Sequence, residues 1–294
     1  MHETRYHSPK SLDEALRLLE EQNGRCQVLA GGTDLVADLN DGGSAAPEHL
    51  VYLGNIGEMK FVRRDESLLE IGALVSHEEI EINPLVLKET PLLAAAAGTI
   101  GGPAIRTMGT VGGNIVRASP AGDVSTALLA LDAWATVMST SGAKRYELRD
   151  FFLGPQRTRL GEGEILFSVS IPLLGNKKNG QSFLKLGKRK AMSIAIASCA
   201  VVVVLDESHR RFADLRISLG SVAPTPIRAV KAENFLKGKS IDAVGMEKAA
   251  DLAREECNPI DDIRGSAGYR KEMVTVLVRR GLGEACHRAQ KRGA

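Results

Sequence analysis

Adjacent glycines stand in the stretch Val28-Leu29-Ala30-Gly31-Gly32-Thr33-Asp34-Leu35 and again in the stretch Gly109-Thr110-Val111-Gly112-Gly113-Asn114. In both, the glycines lie beside a threonine and a short polar side chain. Adjacent glycines let the backbone N–H groups turn toward one point, and the missing Cβ lets a ligand approach closely. Two such stretches on one chain predict a large anionic ligand held from two sides, for which a dinucleotide pyrophosphate is the obvious candidate.

The commoner phosphate-binding motifs are absent from the sequence. No G-x-G-x-x-G follows a predicted strand, which excludes the Rossmann fingerprint. Gly238-Lys239-Ser240 imitates the end of a P-loop, but Glu233 stands where that motif needs its first glycine. A dinucleotide would therefore be held here by a less common arrangement.

Working outward from the first glycine stretch, the pattern predicts two successive α/β units. A capping box that begins at Ser11 predicts a helix that stops at Gly24. Predicted strands at 26–30 and 49–53 complete a small unit of about the first 55 residues. A second, larger unit takes its elements from four further segments: predicted strands at 68–75, 134–140 and 165–171, and a predicted helix at 91–98.

A polar, glycine-flanked linker at 174–180 separates these units from the rest of the chain. Beyond it, three antiparallel strands are predicted at 182–188, 194–205 and 212–222, and three helices at 228–236, 246–256 and 266–289. The predicted fold class is α+β, with one domain over 1–175 (parts 1–55 and 56–175) and a second over 181–290 that combines a three-stranded antiparallel sheet with a helical cluster.

Three short segments could contribute to the ligand-binding site. Residues 98–102 recur with one difference as residues 109–113, and this near-repeat predicts two successive tight turns around one ligand. Asp123 directly precedes an apolar helix and could cap it, and one carboxylate could cap a helix and also contact a ligand. His77 could approach a ligand, but the favoured interpretation is a surface residue in the first turn of a helix.

The ordered set of motifs resembles the FAD-binding subunit of the molybdenum hydroxylases, the family of xanthine dehydrogenase and carbon monoxide dehydrogenase. The motifs are Ala30-Gly31-Gly32-Thr33-Asp34-Leu35, Thr110-Val111-Gly112-Gly113-Asn114-Ile115 and Ser119-Pro120-x-x-Asp123. Segments at 163–172, 183–189 and 262–270 are similar to later parts of the family pattern. The resemblance runs from about Tyr6 to about Ala285.

This resemblance implies a flavoprotein that binds FAD and passes on electrons. Its implied partners are a small subunit with 2Fe-2S clusters and a large subunit with the molybdopterin cofactor, and its implied acceptor is NAD+ or another oxidant. No residue is expected to be catalytic, because the flavin carries the redox chemistry. The expected cofactor-binding residues are Leu29, Ala30, Gly31, Gly32, Thr33, Asp34, Leu35, Ile100, Thr110, Gly112, Gly113, Asn114, Ser119, Asp123, Leu166 and Lys185.

Composition limits the classes of partner, metal site and cellular location that the chain could have. A net charge of +2 without a basic stripe argues against nucleic acid as a partner. The scattered cysteines and histidines show no metal-ligand spacing, so no metal site is expected. The amino terminus has no apolar signal core, and the longest apolar run, near 195–205, is too short to span a membrane. These features predict a cytoplasmic protein with free thiols.

Two alternatives stay open on the sequence. A stand-alone reductase of the wider FAD-binding superfamily would need its own acid or base at the flavin, and the sequence shows none. An assembly subunit that has lost its flavin conflicts with the intact glycines, Asn114 and Asp123.

Overall fold

The computed structural model describes residues 4–42 and 46–291, which form both strands and helices. Among these residues the strands are β1 (Arg5–His7), β2 (Cys26–Leu29), β3 (His49–Tyr52), β4 (Val62–Arg64), β5 (Leu68–Gly72), β6 (Trp134–Ser139), β7 (Gly142–Glu147), β8 (Phe152–Gly154), β9 (Arg157–Thr158), β10 (Ile165–Pro172), β11 (Asn179–Leu186), β12 (Ala197–Leu205), β13 (Phe212–Gly220) and β14 (Ile227–Arg228). The α-helices are α1 (Leu12–Gln22), α2 (Leu35–Asn40), α3 (His77–Ile82), α4 (Pro84–Glu89), α5 (Pro91–Gly98), α6 (Pro103–Met108), α7 (Val111–Arg117), α8 (Asp123–Ala130), α9 (Leu148–Phe151), α10 (Val230–Leu236), α11 (Ala243–Glu255) and α12 (Ala267–Lys291). Gly57–Met59 form a short 3-10 helix.

The amino-terminal unit is a parallel sheet in the order β1–β3–β2 with α1 as its helix. Ser11 caps α1 by accepting a hydrogen bond from the Glu14 amide at 3.2 Å. The Glu14 carboxylate accepts from the Lys10 amide rather than from Ser11, so only half of the expected capping box forms. Asn23 and Gly24 take positive φ and end the helix, as the sequence predicts.

The second unit is an antiparallel sheet in the order β4–β5–β10–β6–β7. Strand β10 lies at its centre, and Val169 and Ile171 are completely buried there. Helices α3 to α8 lie in the chain between β5 and β6. This unit and the amino-terminal unit share one hydrophobic core.

The carboxy-terminal sheet is antiparallel and, within the described residues, has four strands in the order β11–β12–β13–β14. The prediction of three strands is wrong. Strand β14 is only two residues long and follows Pro226, in a segment where the pattern predicts the start of a helix at Arg228. Ile227 and Arg228 pair with β13 instead, and helix α10 begins at Val230. A two-residue strand has no periodicity that a sequence could reveal.

The two faces of this sheet bury different partners. Every residue of β12 is buried; Ala200 and Val202 belong to the amino-terminal core, and Cys199 and Val201 to a separate core beneath α10, α11 and α12. Helix α8, all of whose residues are buried, packs on the first face, and α12 packs on the second. The sheet therefore lies between the amino-terminal core on one face and helices α10, α11 and α12 on the other.

The linker is shorter than expected, because Asn179 and Gly180 already belong to β11. A Cβ on Gly180 would lie 1.9 Å from the carbonyl oxygen of Ala285. The glycine therefore lets the backbone of α12 lie directly against the beginning of strand β11.

Candidate functional site

A cavity of about 800 Å³ lies where the first glycine stretch, helix α7, the start of β10 and strand β11 meet. Its volume is typical of small-molecule and cofactor sites. Every predicted cofactor-binding residue lines it, although contact with a cofactor stays a prediction. These residues are Leu29, Ala30, Gly31, Gly32, Thr33, Asp34, Leu35, Ile100, Thr110, Gly112, Gly113, Asn114, Ser119, Asp123, Leu166 and Lys185.

The first glycine stretch turns the chain from β2 into α2. A Cβ on Gly31 would lie only 1.9 Å from the carbonyl oxygen of Met108 and 3.1 Å from the Cα of Gly109. Gly32 has a φ of +73°, in the left-handed region that side chains rarely adopt. Both positions therefore need glycine, the first for a close backbone contact with the second stretch and the second for its conformation.

The amides of this turn are its main chemical resource. Within the described part of the chain, the N–H groups of Gly32, Thr33 and Asp34 donate to no acceptor. Asp34, at the N-cap position of α2, makes no capping bond through its side chain. Consecutive unpaired amides at a glycine turn form a concave donor surface suited to an anion.

The second glycine stretch is the first turn of helix α7 rather than the tight turn that the sequence repeat predicts. Thr110 caps this helix, since its Oγ1 accepts from the Gly113 amide at 3.0 Å. The Gly112 amide donates to the carbonyl of Ala73 at 2.8 Å, and a Cβ on Gly112 would lie 2.7 Å from that of Ala73. The Asn114 amide donates to Thr110. These amides are engaged within the protein, so the second stretch contributes shape and side chains rather than free N–H groups.

Two polar side chains, the last of the second stretch and one shortly beyond it, form hydrogen bonds within the cavity wall. Asn114 Oδ1 accepts from the amide and the hydroxyl of Ser125, at 3.2 and 3.0 Å. Because its oxygen is committed, Asn114 would meet a ligand through its amide nitrogen, which is a donor. Ser119 Oγ accepts from the Ala121 amide at 3.3 Å.

Asp123 and Lys185 form a buried ion pair across the two halves of the molecule. The Lys185 ammonium donates to Asp123 Oδ2 at 2.5 Å and to the Thr99 carbonyl at 3.0 Å. Thr99 Oγ1 donates to the same carboxylate oxygen at 3.2 Å. Burial raises the pKa of Asp123, and the nearby Lys185 and Thr99 oppose that rise. Asp123 Oδ1 is buried and has no hydrogen-bond partner among the described residues.

This geometry excludes Asp123 as the cap of helix α8. The N-cap of α8 is Gly122, and Asp123 is the first residue of the helix, with its carboxylate turned to Lys185 and Thr99. The cap alternative is therefore wrong. The Lys185 side chain is only 11% exposed, so its ammonium is enclosed together with this carboxylate.

Two apolar residues of the predicted site, Ile100 and Leu166, lie on different elements of the cavity wall. Ile100 is half-buried just beyond α5, and Leu166 is buried on β10 opposite Val137 of β6. Ser193 and Ile194, in the loop after β11, also line the cavity and are not predicted from the sequence. No motif marks that loop, because its position depends on the return of the chain into β12.

His77 lines the cavity and is only 3% exposed, so its assignment to the surface is wrong. Its amide donates to the Gly109 carbonyl at 3.0 Å, which draws the start of α3 against the second glycine stretch. Burial and the nearby Arg106 lower the pKa of His77 to about 4, so the imidazole is neutral at physiological pH. Its Nδ1 has no hydrogen-bond partner in the described part of the molecule. A contact between residues this far apart leaves no local sequence signal.

Arg117 also lines the cavity wall and is not among the predicted cofactor-binding residues. It ends α7 and forms an ion pair with Asp38 of α2, with 2.7 Å between Nη1 and Oδ2. The sequence holds a signal for it, because Arg117 lies between two of the quoted motifs, which end at Ile115 and begin again at Ser119.

Neither a metal centre nor a membrane span emerges from residues 4–42 and 46–291. No group of three or more His, Cys, Asp or Glu side chains in these ranges is placed to hold a metal ion. No helix in the same ranges is long and apolar enough to cross a membrane. The free thiols of Cys199, Cys257 and Cys286 are buried, and Cys26 is half-buried at the cavity wall.

Comparison with known families covers nearly the whole chain. Residues 2–174 match the family described as the FAD binding domain in molybdopterin dehydrogenase. Residues 182–285 match the family described as the CO dehydrogenase flavoprotein C-terminal domain.

Individual proteins give the same result. The carbon monoxide dehydrogenase medium chain of Hydrogenophaga pseudoflava is 34% identical over 280 residues, which cover 95% of this chain and 96% of that one. The glyceraldehyde dehydrogenase medium chain of Sulfolobus acidocaldarius is 33% identical over 279 residues, with 95% and 97% covered. A solved structure of the Hydrogenophaga pseudoflava carbon monoxide dehydrogenase superposes with a TM-score of 0.93 at 34% identity, covering 97% of this chain and 98% of that one. The chain therefore belongs to the family of FAD-binding medium subunits of the molybdenum hydroxylases.

Proposed function

We propose that this chain is the electron-transferring flavoprotein of a heteromeric molybdenum hydroxylase. It would receive electrons from the 2Fe-2S clusters of a small subunit, which takes them from the molybdopterin cofactor of a large subunit. It would pass them to NAD+ or to another acceptor. The proposed domains are residues 1–175, which bind FAD, and residues 181–290. The observation that carries the proposal is the single cavity on which both glycine stretches and the Asp123–Lys185 pair converge.

The residues of the cavity fit FAD. The unpaired amides of Gly32, Thr33 and Asp34 supply donors for a pyrophosphate, and a turn made of glycines lets it come close. At the far wall, the buried Asp123 Oδ1 has no partner among the described residues and can accept from an N–H or hydroxyl group of the ligand. Apolar Ile100 and Leu166 offer surfaces for flat rings.

Each part of the chain then has a defined task. The amides of residues 32–34 and the Thr33 hydroxyl would hold the pyrophosphate, with Asn114 donating from the opposite side. The positive charge of Lys185 would lie beside the flavin ring, where it favours added negative charge. Bound FAD supplies the one- and two-electron chemistry, and the protein supplies binding, orientation and electrostatics. No acid–base pair of this chain is assigned to substrate chemistry.

The relatives differ in the substrate that their names state, and their names include carbon monoxide dehydrogenase, glyceraldehyde dehydrogenase and nicotine 6-hydroxylase. They nevertheless match this chain over almost all of its length. We infer that the substrate is selected on the molybdopterin subunit and that the present chain serves as a common electron outlet.

The test is an anaerobic mixing experiment with the FAD-loaded chain. Xanthine, an aldehyde, carbon monoxide or nicotinate should leave the flavin absorbance unchanged, because the chain alone would hold neither the molybdenum cofactor nor the clusters. Adding the small and large subunits should make the flavin bleach with the correct substrate. Bleaching without partners would instead establish a stand-alone flavoenzyme, and a purified chain that takes up no FAD would refute the proposal.

A further inference from the structure

Helix α2, which follows the first glycine stretch, has little to hold it in place. None of its residues is buried. Its N-cap residue Asp34 makes no capping hydrogen bond. A short helix without a buried face is marginal on its own, because helical stability in proteins comes mostly from tertiary packing. The turn that carries the unpaired amides is therefore joined to a weakly anchored helix.

Arg117 connects this helix to the other side of the cavity. It is the last residue of α7, the helix whose first turn is the second glycine stretch. Its Nη1 lies 2.7 Å from Asp38 Oδ2, and its Nε lies 3.9 Å from Asp34 Oδ1. The side chains of Arg117 and Asp38 are about one-third exposed. One guanidinium thus bridges the two segments between which the ligand would lie.

Arg117 also affects the electrostatics of the cavity wall. Its acidic side chains among the described residues are Asp34, Asp38, Asp123, Glu162 and Glu164, and its Lys and Arg side chains are Arg117 and Lys185. Lys185 is bound to Asp123. Arg117 is therefore the cation that offsets Asp34 and Asp38, which would otherwise repel a pyrophosphate.

We propose that Arg117 is a positioning residue for FAD binding. It fastens α2, and with it the amides of residues 32–34, to helix α7, and it neutralises Asp38 beside the phosphate site. This inference rests on the proposed function, since it assumes that FAD occupies the cavity.

The test measures the FAD dissociation constant of the full-length apoprotein by flavin fluorescence, with thermal unfolding of each apoprotein as a second readout. Arg117→Met should weaken FAD binding roughly tenfold, equivalent to about 1.4 kcal/mol, and change the apoprotein Tm little. Arg117→Lys keeps the charge and should retain most of the affinity. Arg149→Met removes another exposed ion pair, to Glu147, outside the cavity and should bind FAD like the unmodified chain.

A charge exchange separates positioning from general stability. Arg117→Asp alone should weaken binding more than Arg117→Met, because three carboxylates would then face the phosphates. Adding Asp38→Arg to it should restore affinity to within a few-fold of the unmodified chain. An Arg117→Met variant that keeps full affinity, or that loses Tm without losing affinity, overturns the inference. Failure of the unmodified chain to bind FAD refutes the proposed function instead.

Discussion

Replacing Gly31 with alanine should break the contact between the two glycine stretches. The new methyl group would lie 1.9 Å from the Met108 carbonyl oxygen and 2.7 Å from its carbon. Both are backbone atoms, so no flexible side chain can move aside. The first stretch must shift by more than about 1 Å before the contact reaches an ordinary separation, because close-packed interiors tolerate little added volume.

Such overpacking typically costs about 1–3 kcal/mol. If the strain is relieved by displacing the turn, the loss appears in ligand affinity, where this range equals roughly 5- to 150-fold. The assay is titration of the apoprotein with FAD, followed by flavin fluorescence, together with urea unfolding of the apoprotein. We expect a weaker FAD complex and a smaller loss in apoprotein stability.

Gly57→Ala is the matched control, because its Cβ would meet nothing within 4 Å and its backbone needs no positive φ. Gly113→Ala is an intermediate case, since its Cβ would lie 3.1 Å from Thr110 Oγ1 alone. We expect FAD affinity to fall in the order Gly57, Gly113, Gly31. A Gly31→Ala variant that bound FAD as well as the Gly57 control would refute the reasoning that the backbone contact shapes the site.

Two further predictions concern buried ionisable groups. Lys185→Met should lower the free energy of unfolding by about 3–5 kcal/mol, because it leaves the Asp123 carboxylate buried without its cation; urea unfolding at pH 7 measures this, and a loss below about 1 kcal/mol would contradict it. His77 has a pKa of about 4 in the folded chain against an ordinary value of 6.5, so the unfolded chain binds its proton more tightly and stability falls as pH drops from 6.5 to about 4. The shift corresponds to about 3 kcal/mol, and His77→Gln should flatten the stability profile across that window; an unchanged slope would show that His77 does not cause it.

Much of the fold could be predicted because its longer elements carry local signals. The helix from Leu12 and the buried strands Ile165–Pro172 and Ala197–Leu205 show clear apolar patterns. Strand Gly142–Glu147 has mostly exposed residues and exists through its pairing with β6, so no pattern announces it. The two-residue strand β14 escaped prediction for a related reason, since only its partner strand defines it.

The residues of the site likewise differ in whether a local sequence pattern marks them. Its glycines and Asp123 belong to short motifs that are contiguous in sequence, and the cavity brings these motifs together. The resemblance implies Lys185 only as a residue of the cofactor site. Its ion pair with Asp123 is not predicted, since the two residues are 62 positions apart and no local pattern joins them. His77 is held by a backbone hydrogen bond to Gly109, and a contact over this distance in the chain leaves no local sequence pattern.

Helix α8 has a consequence for how the whole chain responds to its ligand. Its residues are buried between the amino-terminal core and the carboxy-terminal sheet, and the Ser218 hydroxyl donates to the Thr126 carbonyl across that seam. Separating the halves would expose the helix, so we expect them to unfold in one cooperative transition rather than in two. A ligand bound only by the native state raises the stability of the entire cooperative unit. Saturation with FAD should therefore slow hydrogen exchange in α12, although none of its residues lines the cavity.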